Sequence, residues 1–278
     1  MLLTPYITRG SALNVKKKCC LILEAKNKML LRAECTPCML NMAIKAIRSL
    51  KDDDNAAKIL TSRILKFPAL KGFDWTKTPP EFAEFIIREI VNLMGNPDPF
   101  QAMKAEQNRN AMQIYPWLKE LATSASDPLY NSVNLSIIGN SLDAMKYEKS
   151  MDLKSLIQER MKIGIFKPTF DEFCRKLSKS NLIVYCGDNS GEIIFDKVLI
   201  EIMKAKYNKL ESVYVVRSIT ALNDVTVEEA LLTGMDKIVS VVENGIDAPF
   251  TGTVLERCSS KIKKLFKNAD LIISKGGG

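Results

Sequence analysis

From Asn181 onward, short apolar runs alternate with stretches of helical period, and that alternation confines the C-terminal part of the chain to a parallel sheet with helical crossovers. The first run, Leu182, Ile183, Val184 and Tyr185, is continuous and rich in β-branched and aromatic residues, as a strand covered on both faces requires. Gly187 ends it. Ile193, Ile194, Phe195 and Val198 then recur at helical spacing. The same reasoning predicts strands over 182–185, 212–216, 237–241 and 271–273, and helices over 193–205, 227–232 and 253–267.

The preceding part has a different texture. From Cys35 to about Ser178 the apolar residues repeat at three and four, as in Met39, Met42, Ala43, Ala46, Ile47 and Leu50, and again in Phe82, Phe85, Ile86 and Ile90. Turn clusters at 71–80, 95–99 and 124–128 punctuate these helices. The expected organisation is an N-terminal extension (1–33), in which Met29 is a candidate start, a helical domain (34–179) and an α/β domain (180–278). The architecture implied is an all-helical domain packed on a three-layer α/β/α, Rossmann-like domain with a mainly parallel sheet.

Composition removes several chemistries. The chain has no histidine, which excludes Ser-His and Cys-His dyads and imidazole metal ligands. Catalysis must then run on carboxylates, amides, lysines or a metal. Lys and Arg outnumber Asp and Glu by 40 to 32, an excess that suits anionic ligands. It is spread over separate faces, including 16–18 and Lys261, Lys263, Lys264 and Lys267, with no arginine-rich arm, so solvated lysine faces are favoured over nucleic-acid binding. Seven cysteines without a secretory signal point to reduced thiols and a cytoplasmic setting. No apolar stretch reaches the ~20 residues of a membrane helix.

The chemistry concentrates where strands end. Asp188, Asn189 and Ser190 lie between the carboxyl end of the first strand and a helix N-terminus, the station at which open α/β sheets bind ligands. The helix end suits an anion, and Asp188 and Asn189 offer hard oxygen ligands for Mg²⁺ or Mn²⁺. An equally simple reading makes them helix caps. Asn223 and Asp224 hold the same station after the next strand, where Asp224 is also open to a capping role. Neighbouring strands lie about 4.8 Å apart, close enough to bring Asp188, Asn189 and Asp224 around one ion. Lys275 and its following glycines, at the end of the last strand, would hold a phosphate. Glu192, Asn108, Asn140 and Asp143 are further candidates for substrate or water, each with a capping or turn explanation. Cys35 and Cys38 form a CxxC that reads as half a zinc site, a redox pair or two buried small residues.

These residues resemble the DUF89 group of metal-dependent damage-control phosphatases, also called ARMT1-like. The resemblance rests on ECTPC at 34–38, GNPDPF with Lys104 and Asn108, IIGNSLD at 137–143, CGDNSGE, LNDVT, the segment from Asp247 to Glu256, and ADLIISKGGG, in that order. The CxxC resembles the signature of the stand-alone microbial subfamily. The resemblance implies hydrolysis of small phosphorylated metabolites such as sugar phosphates. It also implies a divalent metal (Mn²⁺, Mg²⁺, Co²⁺ or Ni²⁺) held by Asp188, Asn189 and Asp224, with Lys275 as the phosphate lysine. The family pattern continues past the lysine with a Gly-Asn-aromatic-Glu motif. This chain stops at Gly278, so the expectation is an α/β domain lacking its C-terminal end, with activity dependent on that end.

Two alternatives stand beside the phosphatase. An S-adenosylmethionine- or nucleotide-binding transferase would use a strand and Gly-containing turn, although Gly187 and Gly191 bracket Asp-Asn-Ser here instead of forming a glycine-rich loop. A non-enzymatic basic module, zinc-containing through the CxxC, would use the lysine faces. The sequence leaves the oligomeric state open.

Overall fold

Cap residues set the ends of the helical half. The structure is a computed structural model that describes residues 30–72, 74–143 and 152–276 and the backbone of Lys16–Lys17, the side chains of 141–143 excepted. Helix α1 is Cys35–Leu50, and α2 is Asp54–Ile64, begun by the Asp53 carboxylate accepting from the Asn55 N–H. Helix α3, Pro79–Met94, opens with a Thr78/Glu81 capping box and closes on Gly95 in the left-handed region (φ 63°). Then come α4 (Gln101–Thr123), α5 (Pro128–Asp143), α6 (Leu153–Met161) and α7 (Lys167–Leu177).

The sheet half follows with strands β2 (Leu182–Cys186), β3 (Glu211–Val216), β4 (Ser240–Glu243) and β5 (Leu271–Ser274). Its helices are α8 (Glu192–Lys206), α9 (Val227–Leu232) and α10 (Ser260–Asn268). Strand β1, Lys16–Lys17, adds an antiparallel edge to β5, giving the order β1-β5-β2-β3-β4 with β5, β2, β3 and β4 parallel. This is the α/β architecture the sequence predicts. Alternation along β2 separates the layers: Ile183 and Tyr185 face α5 and α8, whereas Val184 and Cys186 pack with Ile262 of α10.

The expected domain boundary near residue 179 is not where the apolar cores divide. Helices α1–α3 close their own core around Ile47, Leu60, Ile64, Phe82 and Ile86, with Phe67 stacked on Phe82 at 4.4 Å. Leu118, Leu135 and Phe173, from α4, α5 and α7, instead share a core with Tyr185 and Val198. Gly139 of α5 lets that layer close, because a Cβ there would lie 2.8 Å from the Phe195 ring.

Two elements start later than predicted. Strand β4 begins at Ser240 because the Ile238 and Val239 N–H groups donate back to the Met235 carbonyl oxygen, a turn built over the buried Met235 side chain. Helix α10 begins at Ser260, capped by the Ser259 hydroxyl, and the preceding 253–259 is turn. Among the described residues no helix is long and apolar enough to cross a membrane.

Candidate active site

The loops that follow β2 and β3 are zipped together. The Val225 N–H donates to the Asp188 carbonyl oxygen (2.8 Å), the Ser190 N–H donates to that of Asn223 (2.8 Å), and Asn189 and Asp224 form a bridge. Gly187 permits the turn, since a Cβ there would overlap the Tyr214 phenol. Leu222 holds φ 52°, a left-handed conformation costly for a β-carbon residue, immediately before the bridge. Asp188, Asn189, Ser190, Asn223 and Asp224 are thereby brought to one edge, as expected.

The capping alternatives fail at both stations. The N-cap of α8 is Gly191, which has no side chain of its own to cap with. Helix α9 is capped by Thr226, whose N–H and hydroxyl both bond Glu229 (2.8 and 2.6 Å). Neither Asp188, Asn189 nor Asp224 is therefore spent on a helix end.

Arg217, one residue past β3, lies between the two carboxylates. Its Nε donates to Asp224 Oδ2 (2.6 Å), its Nη2 to Asp188 Oδ1 (3.3 Å) and its Nη1 to Thr253 Oγ1 (3.1 Å). The Asn189 Nδ2 donates to Asp188 Oδ2 at 3.0 Å. Burial, with the Asp224 and Glu192 charges beside it, pushes Asp188 up to about 8 despite Arg217 and Lys275. Burial also raises Asp224, against the pull of Arg217. Gly276 lies against the Asp188 carboxylate, and a Cβ there would overlap its Oδ2. Only glycine leaves Asp188 in place.

The start of α8 holds unused donors. Asn108, from α4, accepts the Gly191 N–H on Oδ1 (2.7 Å), yet its Nδ2 has no hydrogen-bond partner among the described residues. The buried Ser190 hydroxyl is likewise without one. Two unpartnered buried polar groups beside a helix N-terminus are free to bond a water or an anion. Nearby, Lys104 fixes α4 to α9 through Asp98 and Glu229, both at 2.7 Å, and Asn223 Nδ2 reaches Gln107 Oε1 (3.3 Å).

Lys275 departs from expectation. Its backbone N–H bonds the Cys186 carbonyl oxygen at the sheet edge, but its side chain turns inward and is wholly buried. Its ammonium donates to the Ser136 carbonyl oxygen (2.8 Å) and Asp196 Oδ1 (3.1 Å) and pairs with Glu192. With three donors engaged, this arrangement does not offer the phosphate contact expected of it. Glu192 is correspondingly a partner of Lys275 and of Asn140 Nδ2 (3.3 Å), with burial raising its carboxyl. The side chain of Asp143 lies outside the described residues.

Sequence reasoning missed Arg217, Asp196, Tyr185, Tyr214 and Ser136. Asp196 accepts from both tyrosine hydroxyls (2.7 and 2.9 Å) and from Ser136 (3.0 Å), so a hydrogen-bonded floor lies under the site. An aspartate inside the apolar helix EIIFDKVLI, and a tyrosine in a fully buried strand, were the available signals. Cys35 and Cys38 sit at the start of α1, where Cys35 packs on the α1–α3 core. Among the described residues no three His, Cys, Asp or Glu side chains gather as a metal site, and the donors at the sheet edge are two carboxylates and a carboxamide.

Residues 31–278 match the damage-control phosphatase ARMT1-like domain. The chain belongs to that family. Among its relatives, an uncharacterized protein of Methanocaldococcus jannaschii is 30% identical over 89% of this chain and 81% of its own length. A damage-control phosphatase of Archaeoglobus fulgidus is 30% identical, covering 87% of this chain and 83% of that protein. One from Pyrococcus horikoshii is 27% identical over 90% and 85%. The crystal structure of a DUF89 family protein from P. horikoshii superposes with a TM-score of 0.74 at 24% identity, covering 88% of this chain and 83% of that one, a similarity of fold. The family resemblance carried by the strand-end motifs thus holds along the described α/β and helical halves alike, and family relatives named as phosphatases support a phosphatase role for this chain.

Proposed function

We propose that this family member is a divalent-metal-dependent phosphatase acting on phosphomonoesters of small metabolites, with Asp188, Asn189 and Asp224 holding the ion. The observation that carries the reading is a pair of strand-end carboxylates that cap no helix, beside the orphaned Asn108 Nδ2 and Ser190 Oγ. The donor set fits a hard cation, since it is oxygen-only and leaves positions for water and a phosphoryl oxygen. Mn²⁺, Mg²⁺, Co²⁺ or Ni²⁺ there would act as a Lewis acid and lower the pKa of water, which suits a chain without histidine. Asn108, Ser190 and the α8 N-terminus would bind the phosphate oxygens, and Arg217 would balance their charge. Glu192 and Asn140 would orient water from the inner side, with Lys275 fixing Glu192. Asn223 holds the two loops together through its backbone.

Ser190→Ala tests the phosphate assignment, because the hydroxyl has no hydrogen-bond partner among the described residues. Inorganic phosphate should inhibit this variant roughly tenfold more weakly than the wild type while the melting temperature stays unchanged. Equal inhibition would remove Ser190 from the site.

A further inference from the structure

Resting on the reading of this edge as a metal site, we propose that Arg217 is a resident counter-cation that competes with the metal ion for Asp188 and Asp224. The affinity for metal is then set by how firmly the guanidinium is tethered. Arg217 is 2% exposed, and its backbone N–H is fixed on the Val225 carbonyl oxygen at 2.9 Å. Three of its side-chain nitrogens are committed, one to each carboxylate and one to Thr253. A guanidinium is permanently charged and cannot release the pair by losing a proton. Each carboxylate oxygen it holds is withheld from a metal, and its charge, in direct contact with both ligands, opposes a second cation. The bond to Asp188 is the longer of the two, 3.3 against 2.6 Å, so Asp188 is the carboxylate it yields more readily.

This arrangement gives Arg217 a purpose that a structural ion pair lacks. Two buried carboxylates on adjoining loops repel each other in the metal-free protein, and the guanidinium keeps them assembled. Thr253, in the turn before α10, is the tether that holds the guanidinium in position.

Titration calorimetry with Mn²⁺ alone, on the full 278-residue chain, tests the competition without reference to turnover. Arg217→Met should bind Mn²⁺ about tenfold or more tightly than the wild type. Its melting temperature should also rise further on metal addition than the wild type's does. Thr253→Val keeps the charge and the fold but frees Nη1, and should shift affinity a few-fold in the same direction, which keeps the test open should Arg217→Met not fold. Unchanged or weaker Mn²⁺ binding in the variants overturns the proposal, because the guanidinium would then support the ligands instead of opposing the ion. If the wild type itself takes up no Mn²⁺, the metal-site reading falls and takes this inference with it, an outcome distinct from wild-type binding to which the variants are indifferent.

Discussion

Asp188→Ala should lower metal-supported turnover of p-nitrophenyl phosphate by roughly a thousandfold or more while leaving the protein folded. The two halves of that expectation have one cause. Asp188 is buried beside Asp224 and Glu192, and its carboxyl is pushed up to about 8, so its charge is unfavourable to the metal-free fold. A carboxyl whose folded pKa exceeds its unfolded value stabilises the fold below that unfolded value and loses the contribution as pH rises through about 8. The metal-free wild type should therefore lose stability relative to Asp188→Ala between about pH 4 and 8, and thermal melts across that range measure it. A variant with full activity, or one that unfolds, contradicts the assignment.

Lys275→Met should behave in the opposite way. Its ammonium is the counter-charge for Glu192 and Asp196, all three side chains being fully buried. Removing it strands two carboxylates in a region already lined by the Tyr185 and Tyr214 hydroxyls, and breaking one partner of a buried pair costs about 3–5 kcal/mol. The expected drop in melting temperature is roughly 10 °C. Activity at a temperature where the variant remains folded should fall less than in Asp188→Ala. If Lys275 instead binds phosphate in the manner its sequence position suggests, the variant stays stable and KM rises.

The contrast between these residues shows what sequence can convey. Asp188 and Asp224 were legible because chain direction fixes their station: a parallel strand delivers its carboxyl end to one edge, and β2 and β3 are neighbours in exact register, Leu182 opposite Glu211. The same logic placed the Lys275 backbone correctly, since β5 lies on the other side of β2. It could not give the direction of a long side chain, which turned inward to meet Asp196, a residue on a helix whose apolar neighbours suggested only packing. Arg217 stood one residue past an apolar strand, but pairing it with two carboxylates needed the loop zipper of Val225 and Asn223, contacts that no periodicity announces. The division of the helical half into two cores was hidden for a similar reason, because helices packed on helices and helices packed on a sheet share one apolar period.

The central claim is that a divalent ion held at the Asp188, Asn189 and Asp224 edge supports phosphomonoester hydrolysis. Protein stripped with chelator and then titrated with Mn²⁺ should regain p-nitrophenyl phosphate turnover along a saturable curve that parallels Mn²⁺ uptake, and the curve should be flat in Asp188→Ala. Turnover that survives stripping undiminished, or an Asp188→Ala curve that overlays the wild type, would contradict it.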